Sequence, residues 1–227
     1  MRFAWLVLIV LIVLPQLGGC SYVAVVTDIV TPPEKIEAKY ELPDKATLVV
    51  IDDPRGLVNS PSTLRRIASA TRNVLEVEDV IVLGGFIGQD ELAGYREQLG
   101  EDYYRTSLAK LGIQLNAKQV IHAEVTGFQV GIGGNVIQPG ISMDVKVFDL
   151  DERDRTFPRG IDPATGIDSG AKAYGVTSQM RARDLTGQSA ARSIAVRELA
   201  DQAGRDIARL FFDWRMPAVG ADLGTPQ

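Results

Sequence analysis

The sequence predicts an α/β (α+β) fold: one mixed β-sheet with helices packed against it, closed by a long amphipathic C-terminal helix. Three observations predict it. Thr47-Leu48-Val49-Val50-Ile51 is an unbroken β-branched and aliphatic run, the pattern of a strand buried on both faces. Residues 118–130 and 141–150 read as strands on either side of Gly131-Ile132-Gly133-Gly134-Asn135, which suits a hairpin loop because glycine and asparagine tolerate positive φ. Over residues 188–212, Val196, Leu199, Ala203, Ile207 and Leu210 recur at three or four, with Arg197, Asp201, Arg205 and Arg209 between them.

In chain order, a basic residue (Arg2) precedes an apolar run from Phe3 to Leu14, and small residues follow, the layout of a secretory signal. The run is twelve residues long and Pro15 interrupts it, short of the roughly 20 that a membrane-spanning helix needs. An uncleaved span with a chance cysteine behind it is the alternative. Leu17-Gly18-Gly19-Cys20 resembles the lipobox of bacterial lipoproteins. That resemblance implies that residues 1–19 are a leader removed before Cys20 and that the Cys20 thiol is diacylated, tying the protein to membrane lipid. Ser21, not aspartate, follows the cysteine, which is similar to lipoproteins delivered to the outer membrane and facing the periplasm. Residues 20–45 then read as the lipidated N-terminus and a tether. The apolar patch at 22–26 suits either an edge strand or the membrane surface, and Pro32-Pro33 suits an extended spacer.

Cutting after Gly19 leaves 208 of the 227 residues, enough for one domain with a sizeable core or at most two small ones. Loss of Arg2 takes the net charge from −5 to −6, against the basic face that nucleic-acid binding needs and against electrostatic adhesion to anionic lipid. Acyl chains must therefore supply the anchoring, and two or more hold a protein stably where one does not. Cys20 is the sole cysteine, so stability must come from the core and not from disulfides.

The folded domain is expected over residues 46–213, with 214–227 a flexible tail. After the first strand, Asp52-Asp53-Pro54-Arg55-Gly56 makes a turn. Ser60-Pro61 gives an N-cap and a first helical residue, and Leu64, Ile67, Ala68, Thr71, Val74 and Leu75 form the apolar stripe of a helix. Val80-Ile81-Val82-Leu83 reads as a second buried strand broken by Gly84-Gly85. Residues 89–99 and 103–111 read as short helices separated by Gly100 and ending at Gly112. Residues 151–170 look like an exposed loop, and 174–177 a last strand.

The opening strand and helix, the segment Leu111-Gly112-Ile113-Gln114-Leu115-Asn116-Ala117-Lys118-Gln119-Val120-Ile121-His122-Ala123-Glu124-Val125, and a terminal helix ending in Leu210-Phe211-Phe212 are similar to a broad group of bacterial envelope lipoproteins. That group includes curli-assembly and penicillin-binding-protein-activator lipoproteins and the amino-terminal domain of the Tol-system propeller protein, and the likeness is greatest to its uncharacterised members. Lys118 stands where the group often has aspartate. The resemblance implies a non-enzymatic module that binds an envelope protein partner or associates with itself, and it carries no catalytic, cofactor or metal residues.

The residues themselves offer one alternative, a periplasmic hydrolase or small-ligand binder working through Asp52, Asp53 and His122. Asp52 and Asp53 end a buried strand, where α/β folds place ligands, and paired carboxylates there could bind a divalent cation or act as acid and base. Against this stand a solvated turn before Pro54 and a satisfied sheet histidine. His122 is the only histidine, and Cys20 is spent on acylation, so a triad or a zinc site lacks its other members. Gly131-Ile132-Gly133-Gly134 lacks the Gly-Lys-Ser/Thr ending of a phosphate loop. Asp149 to Asp154 lacks the central glycine and distal glutamate of an EF-hand. Arg181 and Arg183 read as a solvated face.

Overall fold

The computed structural model describes residues 34–133, 136–159, 172–181, 183–184 and 189–216. The chain divides into two compact units, one of residues 38–212 and one formed by the segments that flank it. In the flanking unit β1 (Lys35–Ile36) pairs antiparallel with β8 (Trp214–Arg215), and Lys35 lies 2.6 Å from Asp213.

In the main unit β2 (Thr47–Asp52) runs parallel to β3 (Gln119–Gly133), which turns into the antiparallel β4 (Val136–Asp149). The other edge of β4 is taken in turn by β5 (Asp154–Phe157), β6 (Tyr174–Gln179) and β7 (Arg183–Asp184). The sheet is therefore mixed, as expected. The two strands extend further toward each other than the sequence reading placed them, with Gly133 paired to Val136, and Gly134-Asn135 of the expected hairpin loop lie outside the described residues.

Helices cover both faces. α1 (Pro61–Val77) and α4 (Ser189–Ala208) pack side by side over one face, where Val49, Ile51, Ile121, Val145 and Val147 meet Ile67, Leu75, Leu199 and Ile207. α1 begins as expected: Pro61 opens it, and the Ser60 hydroxyl accepts a hydrogen bond from the Thr63 amide at 3.3 Å. The two helices approach closely because residue 204 has no side chain. A Cβ there would sit 2.5 Å from the Ala70 Cβ and 2.7 Å from the Ile67 carbonyl oxygen. A fork of two 2.7 Å contacts from the Arg66 guanidinium to Asp201 ties the same pair at the surface.

On the opposite face α2 (Gln89–Leu99), a 3-10 turn (Gly100–Arg105) and α3 (Leu108–Gln114) close a smaller core, in which Leu48, Val50 and Val120 meet Leu92, Tyr103, Leu111 and Leu150. This α2 layer also blocks the outer edge of β2. Gln89 donates to the Val49 carbonyl at 3.0 Å and Arg96 to the Ile51 carbonyl at 2.9 Å, so two outward carbonyls of that edge are already used.

Three expectations are corrected. Residues 80–83 form no strand: the amides of Val82, Leu83 and Gly84 all donate to the Asp44 carboxylate at 2.9–3.1 Å, which curls the backbone into a turn. Ile81 alone is buried, while Val82 and Leu83 are 62% and 90% exposed. The helix expected over 103–111 is a 3-10 turn followed by α3, because the Ser107 hydroxyl accepts from the Lys110 amide and starts a new helix there. The loop expected over 151–170 contains β5, a four-residue strand anchored by the buried Phe157, whose polar first half disguises it.

Candidate functional site

The strand alternation sends Asp52 and Asp53 to different places. Asp52, the last residue of β2, follows Leu48 and Val50 onto the face covered by α2 and α3. The parallel register sets Val50 beside His122 and Asp52 beside Glu124, so His122 and Glu124 share that face. Two of the three residues singled out by sequence therefore converge: His122 Nε2 lies 3.0 Å from Asp52 Oδ2.

Two residues that the sequence reading missed complete the cluster. Arg96, on the last turn of α2, places Nη2 2.6 Å from Asp52 Oδ1, and the Tyr103 hydroxyl donates to the same oxygen at 2.9 Å. Arg96 Nη2 also donates to the Tyr103 oxygen at 2.8 Å, and its guanidinium carbon stands 4.6 Å from the centre of the Tyr103 ring. Arg96 and Tyr103 lie on either side of Gly100, on a weakly patterned helix and a 3-10 turn, and nothing in their spacing links them to β2.

The electrostatics follow from these contacts. Burial pushes the Asp52 carboxyl up, but the His122 hydrogen bond and charge, the Arg96 guanidinium and the Tyr103 hydroxyl outweigh it and hold the group below its ordinary range. Burial and the Asp52 charge push the Tyr103 phenol far up, so it stays a donor. An ionised Asp52 can only accept, so His122 Nε2 carries the proton it gives to Oδ2. His122 Nδ1 is then left buried without a partner among the described residues, as is Arg96 Nε.

Chemically, the Asp52 carboxylate is largely engaged by the protein itself. Three donors engage its two oxygens, with one acceptor site left on Oδ2, so the carboxylate orients Arg96, Tyr103 and His122 around itself. The cluster opens onto a cleft of about 250 Å³, lined by Asp52, His122 and Tyr103 themselves and by Glu124, Tyr104 and Thr106, with Pro54, Leu108 and Leu111 as its apolar wall. Thr106 gives its hydroxyl proton to the Asp102 carbonyl, so it is not poised as a nucleophile. Among the described residues no group of three or more His, Cys, Asp or Glu is arranged to hold a metal ion.

Asp53 does not join the cluster, and it is not the solvated turn residue of the sequence reading. It is buried, and its carboxylate accepts from the amides of Leu57 and Val58 at 2.8 Å and of Asn59 at 3.4 Å. It thus holds the loop that leads into α1. Asp53→Ala leaves these amides unpaired and costs about 1–3 kcal/mol of stability, measured by urea denaturation. A loss of a few tenths would mean that the loop finds other acceptors. Cys20, the expected lipidation site, lies outside the described residues.

No protein-family model matches the chain, and no curated protein does either. Several solved structures are similar. Lipoprotein GNA1162 from Neisseria meningitidis is 12% identical, with 71% of this chain and 99% of that one covered at a TM-score of 0.42. PelC from Paraburkholderia phytofirmans, solved as a dodecamer, is 12% identical over 79% of this chain and 96% of that one, at 0.40. The LpoB C-terminal domain from Salmonella enterica is 12% identical over 63% and 87%, at 0.34. Likeness at this level carries no inference about what this chain does.

Proposed function

We propose that this protein is a lipid-anchored module of the cell envelope that binds another envelope protein or a second copy of itself, and that it performs no catalysis of its own. The observation that carries this reading is the fate of the polar groups at the end of β2. Asp52 accepts from Arg96, Tyr103 and His122, and Asp53 from three backbone amides, so both carboxylates serve the architecture. Hydrogen bonds to both oxygens of a carboxylate leave it less available as a general base or a metal ligand than a free one. Elsewhere the outer edge of β6 has no strand partner among the described residues, whereas the edge of β2 is capped by side chains. Val82 and Leu83 stand out on a turn pinned by Asp44, a form suited to contact with a partner.

Crosslinking in the native envelope tests this reading. A discrete adduct with one protein, or with a second copy, is expected, and an envelope in which no adduct forms at any surface position overturns it. The anchor has its own test. Cys20→Ser removes the thiol that takes the diacylglycerol, so metabolic labelling with a tagged fatty acid drops to background and the leader stays uncleaved. Equal label on the variant would refute lipidation at this residue.

A further inference from the structure

Away from the Asp52 cluster, an open groove of about 720 Å³ runs between the first turns of α1, the first turns of α4 and the outer part of β3. Its apolar surface comes from Val58, Phe128, Val130 and Val196, and its charge from Arg66, Arg192 and Arg197. Among the described residues no acidic one lines it, although the chain as a whole carries a net charge of −5. Arg66 is spent on Asp201, but Arg192 and Arg197 are exposed and have no ion-pair partner among the described residues.

We infer that this groove docks an acidic segment of a partner protein, with an apolar side chain of that segment against Phe128, Val130 and Val196 and its carboxylates facing Arg192 and Arg197. The inference rests on the binding-module reading and adds a place and a chemistry to it. Charge decides the partner's sign: two guanidiniums with no acidic neighbour in the groove among the described residues, on an otherwise acidic protein, attract anionic segments and repel basic ones. Shape decides its form. The apolar surface is concave, so a chain segment can reach it while a flat bilayer cannot. Arginine is also among the residue types in which interface energy concentrates.

The test uses the full chain and two fluorescent peptides, one with a central pair of leucines flanked by glutamates and one with the same leucines flanked by lysines. The glutamate peptide is expected to bind, less tightly as salt rises, and the lysine peptide not. The double variant Arg192→Glu/Arg197→Glu weakens the glutamate peptide by about tenfold or more, and Arg192→Gln/Arg197→Gln by less. Arg105→Glu/Lys110→Glu, an equal change of charge outside the groove, leaves binding unchanged. Unaltered thermal melting of each variant shows that the fold is intact.

The inference fails if both peptides bind alike or if the control pair weakens binding as much as the groove pair. It also fails if phosphatidylglycerol vesicles bind the groove while the peptide does not, or if the groove variant changes only the oligomeric state. Envelope crosslinking separates this failure from that of the wider reading. A protein adduct that forms at full yield in the Arg192→Glu/Arg197→Glu variant overturns the groove alone, and no adduct in either chain overturns the module.

Discussion

Truncating Leu199 to alanine lowers the stability of the domain by about 2–5 kcal/mol, with the upper half of that range expected. Leu199 is 1% exposed and sits in the core that α1 and α4 share with the sheet. The loss comprises the transfer free energy of the missing methyl groups and a cavity term, and the second depends on how far the walls can close in. Here they are held apart. The backbones of α1 and α4 already touch at Gly204, where even a Cβ would overlap Ala70, and the Arg66–Asp201 fork fixes their spacing at the surface. Chemical denaturation with an unchanged slope measures the effect. A loss below about half a kcal/mol, the scale of surface substitutions, would mean that α4 presents a different face to the sheet. Val196, one turn earlier and only half-buried, loses less when truncated, so the two positions together calibrate the helix orientation.

What the sequence made visible was the part governed by local periodicity. The run of residues 47–51 and the apolar stripe over 196–210 placed Val49, Ile51, Val196, Leu199 and Leu210 in the core, where all are buried except Val196, which is half-buried. Residues 80–83 misled, because Val-Ile-Val-Leu has the composition of a strand while its backbone amides are claimed by a carboxylate almost forty residues earlier. A contact of that sequence separation leaves no periodic trace. The same holds for the Asp52 cluster. Asp52 and His122 could be singled out because each is a conspicuous type in a strand, but Arg96 and Tyr103 reach them only once α2 is laid across the end of β2. Asp53 was misread for a related reason: a carboxylate after a strand looks solvated until the following loop folds back to offer it three amides.

Replacing Asp52 by alanine costs about 2–3 kcal/mol at neutral pH and removes part of the acid sensitivity of the fold. Three donors lose their acceptor at once: Arg96, Tyr103 and His122. Hydrogen bonds to a charged group contribute about 1.5–3 kcal/mol each at most, and the Arg96 charge is left unpaired in a partly buried place. Partial exposure of Arg96, with its side chain 25% accessible, lets water recover some of that loss and keeps the figure below that of a fully buried ion pair. The pH dependence follows from linkage. The folded Asp52 holds its proton less tightly than the unfolded one, whose ordinary value is 3.8, so its contribution is complete above that value and is lost as pH falls through the lower folded value. Wild-type stability therefore drops on acidification below about pH 4 partly through this group, while Asp149, held down in the same way by Lys45 and the amides of Asp151 and Glu152, keeps its own share in the variant. Denaturation curves between pH 2 and 7 should show a shallower acid slope for Asp52→Ala than for wild type. Parallel curves would mean that Asp52 ionises alike in folded and unfolded chains, and that the Arg96–Tyr103–His122 cluster does not hold its charge.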